Sequence, residues 1–330
     1  MSLGNENESK TMSTPVLLIT FNRPDHVRQV LMEIRKQQPT QLYVCQDGAR
    51  AGNENDRVRC QEVRDVIKEF VDWPCELHTL YQEKNLGCGR GPVTGISWFF
   101  ENVEQGIILE DDCLPHPDFF VYCGELLERY KDDERIGFIG GCNYVNTKSD
   151  FSYVFSGGHH QTWGWATWRR TWKKFDYTLS TISKTDFVKI LHEYCMSWRQ
   201  KEYWWNIYEK VKKDQMNHSC WDYQFYFSCW KAHQLAIAPS INLVSNIGFG
   251  ADATHTHAQG ALLKKQVSAI LPLVHPNDIC LDKSQDFELM KLFVAPYDYD
   301  GRNVLKKWIY FINRYVKRKL NHQGPWIKTP

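Results

Sequence analysis

The sequence predicts an α/β protein built on a mostly parallel central sheet flanked by helices. Short apolar runs alternate with stretches whose apolar residues recur every three or four positions, the pattern of strands alternating with amphipathic helices. Three polar signatures, Asn22-Arg23, Asp47 and Glu110-Asp111-Asp112, stand directly after such runs. In a parallel sheet that is where strands end and ligands bind.

The elements follow in order. Val16-Leu17-Leu18-Ile19-Thr20 is a continuous apolar run, as expected of a strand buried on both faces. Phe21-Asn22-Arg23-Pro24 breaks it, and Val27, Val30, Leu31 and Ile34 then recur at helical spacing. Leu42 to Cys45 is a second strand, ended by Asp47-Gly48 and a polar loop to Asp56. Val63, Val66, Ile67 and Phe70 mark the next helix, and Leu77 to Tyr81 a third strand. A loop with Gly87, Gly89 and Gly91 leads to a helix carrying Ile96, Phe99, Phe100 and Val103. Gly106 to Leu109 is a fourth strand that runs into Glu110-Asp111-Asp112. A helix from about Asp118 to Tyr130 and a strand at Ile136 to Ile139 follow. The pattern then loosens through Ser156 to Trp172, which is dense in Gly, His and Trp. Thr185 to Lys213 reads as helical, Trp221-Asp222 opens another helix, and Leu235 to Ile237 is a strand.

Bulk properties narrow the classes. A chain of 330 residues suits one large domain or a core with an appended lobe. A formal net charge of +1 offers no field for nucleic acid, so no nucleic-acid partner is expected. The 11 cysteines are odd in number and form no Cys-x-x-Cys pair. That argues against a zinc site and a disulfide framework and for reduced thiols in a cytoplasmic protein. No early apolar run resembles a signal peptide. No apolar stretch reaches the roughly 20 residues that span a bilayer. The 13 Trp suit both sugar stacking and core filling.

Three adjacent carboxylates at a strand end repel one another, and a hard divalent cation, Mn²⁺ or Mg²⁺, relieves that repulsion. A solvated acidic turn capping the next helix accounts for the same residues. Family resemblance favours the first reading. Val16 to Arg23, Cys45-Gln46-Asp47-Gly48, and Ile108 to Asp112 followed by Pro117-Asp118-Phe119-Phe120 resemble the GT-A glycosyltransferases. They also resemble general family-2-like nucleotide-diphospho-sugar transferases. The last block is most similar to the β-1,2-N-acetylglucosaminyltransferase I family. The resemblance extends through Trp221-Asp222 and Ala238 to His257, about two-thirds of the chain.

The resemblance implies a GT-A fold and metal-dependent hexosyl transfer from a UDP-sugar. The acceptor would be a glycan or a lipid-linked oligosaccharide, as in polysaccharide biosynthesis. It implies that Thr20, Phe21, Asn22 and Arg23 line the nucleotide-sugar site. Asp47 would meet the uracil, Asp111 the ribose, and Asp112 the metal, with Glu110 in support. Arg90 would face the diphosphate. Asp222 would be the base of an inverting reaction, although a helix cap explains it too. Trp163, Trp165 and Trp221 would bind the acceptor. His159 and His160 lie on the acceptor side, and His255 and His257 in a loop over the donor, with His257 a further metal candidate. Unlike the eukaryotic enzymes, this chain shows no membrane anchor, so their acceptor does not transfer.

The implied organisation is a disordered terminus at 1–13, a catalytic domain at 14–302 and a basic amphipathic tail at 303–330. Within the domain, 14–112 would be the nucleotide-sugar half and 113–302 the acceptor half. The tail sets Lys306, Lys307, Arg314, Lys317, Arg318 and Lys319 against Trp308, Ile309, Phe311, Ile312, Tyr315 and Val316. Such a helix over 304–320 either packs on the domain or lies on the cytoplasmic face of a membrane. Two rivals stand beside this reading: a nucleotidyltransferase making nucleotide sugars, and a non-catalytic carbohydrate-binding protein. The oligomeric state is open.

Overall fold

The computed structural model describes residues 12–145, 149–158, 162–213, 220–248 and 267–294. The first apolar run forms β1, Val16–Thr20, buried throughout. The β/α alternation then follows: α1 (Pro24–Gln37), β2 (Gln41–Gln46), α2 (Glu54–Phe70), β3 (Glu76–Tyr81), α3 (Gly87–Asn102) and β4 (Gln105–Glu110), with one difference, that Gly87, Gly89 and Gly91, read as loop, form the first turns of α3. These strands pair in parallel in the order β3-β2-β1-β4, with Leu18 of β1 between Val44 and Leu109.

Beyond β4 the chain adds β5 (Cys113–Pro115), α4 (Pro117–Arg129), β6 (Ile136–Gly140), β7 (Tyr153–Ser156), β8 (Trp165–Trp168) and a single helical turn, α5 (Arg169–Trp172). Then come α6 (Lys184–Tyr194), α7 (Trp198–Lys212), α8 (Asp222–Lys231), β9 (Leu235–Pro239), β10 (Val244–Asn246) and α9 (Lys283–Val294). The main sheet has eight strands, ordered β3-β2-β1-β4-β8-β6-β9-β7. It is mixed: β8 runs antiparallel to both β4 and β6, and β7 is antiparallel to β9. The periodicity did not show β8. All four of its residues are buried, so no polar alternation marks it. A second sheet pairs β5 with β10.

Strand side chains alternate between two cores, as the pleat requires. Val16, Leu18, Leu42, Val44, Ile107 and Leu109 pack under α1, α2 and α4. Leu17, Ile19, Tyr43, Cys45 and Ile108 face the opposite layer, with α3, α6, α7 and α8. That second layer is aromatic: Trp165, Trp204 and Trp230 are fully buried, and Gln224–Trp230 of α8 is buried residue after residue. Phe138 of β6 joins sheet to helix, with ring centroids 5.2 Å from Phe225 and 6.1 Å from Trp165.

All eleven cysteines are free thiols. No helix among the described residues is long and apolar enough to cross a membrane. Met12, assigned by sequence to a disordered terminus, instead bridges to Pro39, and the Thr40 amide donates to its carbonyl at 2.9 Å. The tail at 303–330 and residues His159, His160, His255 and His257 lie outside the described residues.

Phe138→Ala removes the ring on which the sheet and α8 meet. We expect it to cost about 3–5 kcal/mol, the range for a buried Phe. Urea unfolding checks this through a lower midpoint at unchanged slope. A loss below about 1 kcal/mol would show that the layers close without it.

Candidate active site

Pro24 at the first position of α1 fixes the start of that helix, so Arg23 stands at its cap beyond the end of β1. β4 lies beside β1, with Glu110 opposite Ile19. The turn after β4 therefore delivers Asp111 and Asp112 to Arg23. Its guanidinium donates to Asp111 Oδ1 at 2.5 Å and to Asp112 Oδ2 at 3.0 Å. Burial opposes the Arg23 charge, but Asp111 and Asp112 outweigh it and hold the group more firmly protonated than usual.

The three acids sit in different surroundings. Asp111 is 2 % exposed, and its second oxygen accepts the Phe21 amide at 3.4 Å. Burial pushes its carboxyl up and Arg23 pulls it down. With both oxygens engaged inside the protein, Asp111 builds the Phe21–Arg23 loop and offers no face to a ribose. Asp112 is more open and is the acid nearest the following segment. Its carbonyl accepts Ile247 N–H at 2.8 Å, and a Cβ on Gly248 would collide with its Oδ2 and stand 3.0 Å from Arg23. A side chain there would require the Asp112 carboxylate to shift. Glu110 has no side-chain hydrogen bond among the described residues, and burial, then Asp112 and Asp111, push its carboxyl well up.

Asp222 comes from the far half of the chain. Trp221 is the N-cap of α8 and Asp222 its first residue, so the cap alternative belongs to the neighbour, and Trp221 makes no side-chain cap. The Trp221 ring stacks on Trp165 at 5.6 Å, which seats the start of α8 against β8. Burial raises the Asp222 carboxyl to about 6, against the helix-end amides of Tyr223, Asp222 and Trp221. Asp222 in turn adds to the upward push on Glu110, as it does on the Cys88 thiol at the start of α3. The fold thus brings Asp222, Glu110, Asp111, Asp112, Arg23 and Phe21 to one end of the sheet.

Other expected contacts land elsewhere. Asp47 accepts from Gly48 N and Leu86 N on one oxygen, and from Gly87 N and Asn85 Nδ2 on the other, at 2.8–3.0 Å. A carboxylate has about four acceptor positions, so none is left for a uracil. α3 has no local side-chain cap, and Asp47 supplies one from β2. Thr20 is 3 % exposed and ties β1 to Cys45 O. The Arg90 guanidinium lies over the Tyr177 ring at 5.0 Å rather than on the acids. Trp165 and Trp221, at 0 % and 5 % exposure, are core residues with no ring face for a sugar. Trp163 is half-buried and edge-on to Tyr144.

Two supporting residues escaped the sequence reading. Asp56 of α2, fully buried, accepts Asn22 Nδ2 at 2.8 Å and the Arg50 guanidinium at 2.5 and 2.7 Å, tying two site loops together. Gln46, also fully buried, donates to Phe21 O at 3.0 Å and Cys60 O at 2.8 Å and accepts from Arg64 Nε at 2.7 Å. The signal for Gln46 was a polar residue inside a buried run; Asp56 gave none, because it read as loop.

No family model matches the sequence, and no curated protein does. Among solved structures the chain is similar to S. aureus TarS 1–349, at 11 % identity and a TM-score of 0.36 over 54 % of each chain. The chain thus spans about half of that protein. It is similar to a 4-diphosphocytidyl-2C-methyl-D-erythritolsynthase from Anaerococcus prevotii at 8 % identity and TM-score 0.31, covering 55 % of this chain and 84 % of that one. A cytidylyltransferase from Leptospira borgpetersenii shows 11 % identity and TM-score 0.31, over 56 % and 71 %. Likenesses of this size fix no activity.

Asp47→Ala removes the remote cap of α3. We expect a loss of about 1–2 kcal/mol, typical of a cap. Hydrogen exchange should quicken at Leu86 and Gly87 while β1 stays protected. Unchanged exchange there would mean that the cap is dispensable.

Proposed function

We propose that the chain is a glycosyltransferase that moves a hexosyl group from a UDP-sugar to a hydroxyl of a glycan or lipid-linked oligosaccharide, with inversion. The reading rests on one observation. Asp222, expected as a base, lies near enough to Glu110, the first of the acids expected at the donor, to push its carboxyl up, though more than a hundred residues separate them. Residues 14–112 would form the nucleotide-sugar half and 113–302 the acceptor half.

The acid cluster fits a divalent cation. Glu110, Asp111 and Asp112 share a single guanidinium, that of Arg23, and the Glu110 side chain has no hydrogen-bond partner among the described residues. Among those residues no group of three His, Cys, Asp or Glu side chains is set to hold a metal alone. Mn²⁺ or Mg²⁺ suits such a place, since these ions bind one or two carboxylates and take their other ligands from phosphates and water. Asp112 would hold the ion with Glu110 behind it, and the ion would offset charge on the departing diphosphate.

The chain's own groups supply the rest. Arg23, fixed by two carboxylates, sets the orientation of the loop that carries Phe21. Asp222 takes the proton from the acceptor hydroxyl oxygen as that oxygen bonds to the anomeric carbon and the UDP oxygen leaves. A carboxyl near 6 is mostly ionised at neutral pH yet more basic than an ordinary aspartate.

In calorimetry, UDP should bind more tightly with Mn²⁺ than without, and Asp112→Ala should weaken that binding about tenfold or more, the loss of one charged contact. UDP affinity indifferent to both metal and mutation would sink the assignment.

Asp222→Asn should lower kcat roughly 10²–10⁴-fold, the usual contribution of a general base, and leave UDP affinity in place. Wild-type kcat/KM should fall as pH drops below about 6. The stability sign is opposite. The folded carboxyl titrates above its ordinary 3.8, so its contribution is full below 3.8 and is lost as pH rises through about 6. Without ligand, Asp222→Asn should therefore melt higher than wild type at pH 8, by up to about 3 kcal/mol of stability, and equally at pH 3.5. Retained turnover in the variant would move the base elsewhere.

A further inference from the structure

An open cleft of about 1100 Å³ lies between α2, the loop that follows β2 and the segment following β3. Arg50, Arg57, Arg64 and Lys84 line it, with Tyr81 and Gln82. We propose that this cleft is a second anion site, for a soluble ligand bearing one or two phosphates, and that its occupancy is felt at the Phe21–Asn22 loop.

The charges are arranged for a ligand. Arg57 is matched loosely by Glu54 at 3.5 Å, both largely exposed, and Arg50 by the buried Asp56. Arg64 and Lys84 remain, with Glu83 as the acid beside them, so the cleft carries one net positive charge. What separates it from an ordinary basic surface is fixation. A surface arginine samples many rotamers and loses that freedom on binding. Arg64 is pinned by Gln46 through Nε and laid on the Tyr81 ring at 4.5 Å. Its two terminal nitrogens donate to no described residue and are free for the planar, two-point grip that guanidinium gives phosphate. Arg50 is pinned through Nε and one terminal nitrogen on Asp56 and lies over Phe21 at 5.7 Å, while its side chain stays 59 % exposed. An arginine serving only to neutralise Asp56 would be buried with it.

The pins give the coupling. Gln46 accepts from Arg64 and donates to the Phe21 carbonyl. Asp56 accepts from Arg50 and from Asn22. Arg64 and Arg50 are thus each one fully buried side chain away from the loop that leads into Arg23. A phosphate drawing on Arg64 or Arg50 changes the hydrogen bonds that fix this loop. The site stands without the glycosyltransferase reading.

Inorganic pyrophosphate titrated into the full chain, read by calorimetry and hydrogen exchange, tests this. We expect saturable binding that Arg64→Ala weakens about tenfold or more, the range for a lost charged contact. Arg28→Ala, the same charge change on an arginine stacked on Phe70, should leave it unchanged. Pyrophosphate should slow exchange of the Phe21 amide. Arg64→Lys keeps the charge but not the planar link to Gln46, and should retain some binding while losing that slowing. If Arg64→Ala does not fold, Lys84→Ala at the exposed rim takes its place. Equal losses in the Arg28 and Arg64 variants, or no wild-type binding at millimolar pyrophosphate, would each overturn the proposal. Failure of UDP to bind, with these results intact, would remove the donor reading alone.

Discussion

Arg23 is the constraint on which the rest of this end of the molecule depends. Glu110, Asp111, Asp112 and Asp222 approach one another where β1 and β4 end and α8 begins, and burial makes each mutual repulsion larger than it would be in water. One guanidinium cannot balance four carboxylates. It balances two, Asp111 and Asp112, by direct contact. Glu110 and Asp222 have no cationic side chain bonded to them: burial raises both carboxyls, and for Glu110 the charges of Asp112 and Asp111 add to it. Such pushing apart of neighbouring carboxyls is how one site holds acids of different character. The surplus negative charge is also what a divalent ion would offset in the proposed reaction.

Holding Arg23 in place falls to polar groups that never reach the site. Loops at strand ends are the mobile parts of an α/β fold. Here they are tied down by long-range hydrogen bonds to buried or half-buried side chains: Asn22 and Arg50 donate to Asp56, Gln46 donates to the Phe21 carbonyl, and the Leu86 and Gly87 amides donate to Asp47. A buried polar group left alone costs stability, and each of these is engaged on both sides. Gly248 completes the arrangement from the opposite direction, because any larger residue would push Asp112 off Arg23.

Much of this was legible in the sequence. The parallel half was readable because its strands are apolar runs and its helices amphipathic, and the acids and Arg23 were readable because they stand at strand ends. The mixed half was not. β8 is buried on both faces and aromatic, and it enters between β4 and β6 against their direction, a pairing that no local pattern encodes. The same gap misled the reading of Trp165 and Trp221. Their composition suggested sugar faces, yet they stack on each other in the core. Asp47 and Asp111 were readable as strand-end acids, but whether a carboxylate faces a ligand or the protein depends on which amides fold back onto it, and that is a tertiary fact.

The Trp165–Trp221 stack shows how the unreadable half positions the readable one. α8 is buried almost all round, so its axis is set by packing, and its first turn is set by Trp221 lying against β8. β8 hydrogen-bonds to β4, and β4 ends in Glu110. The separation between Asp222 and Glu110 is thus fixed through one aromatic contact and one strand pairing, with no hydrogen bond between the acids themselves. Two like charges would drift apart if either were carried on a loop. Here each sits at the end of a regular element locked to a common strand, so the fold holds them near one another, and Glu110 carries the consequence: burial first, and then its acidic neighbours with Asp222 among them, push its carboxyl up, while Asp222 is raised by burial alone.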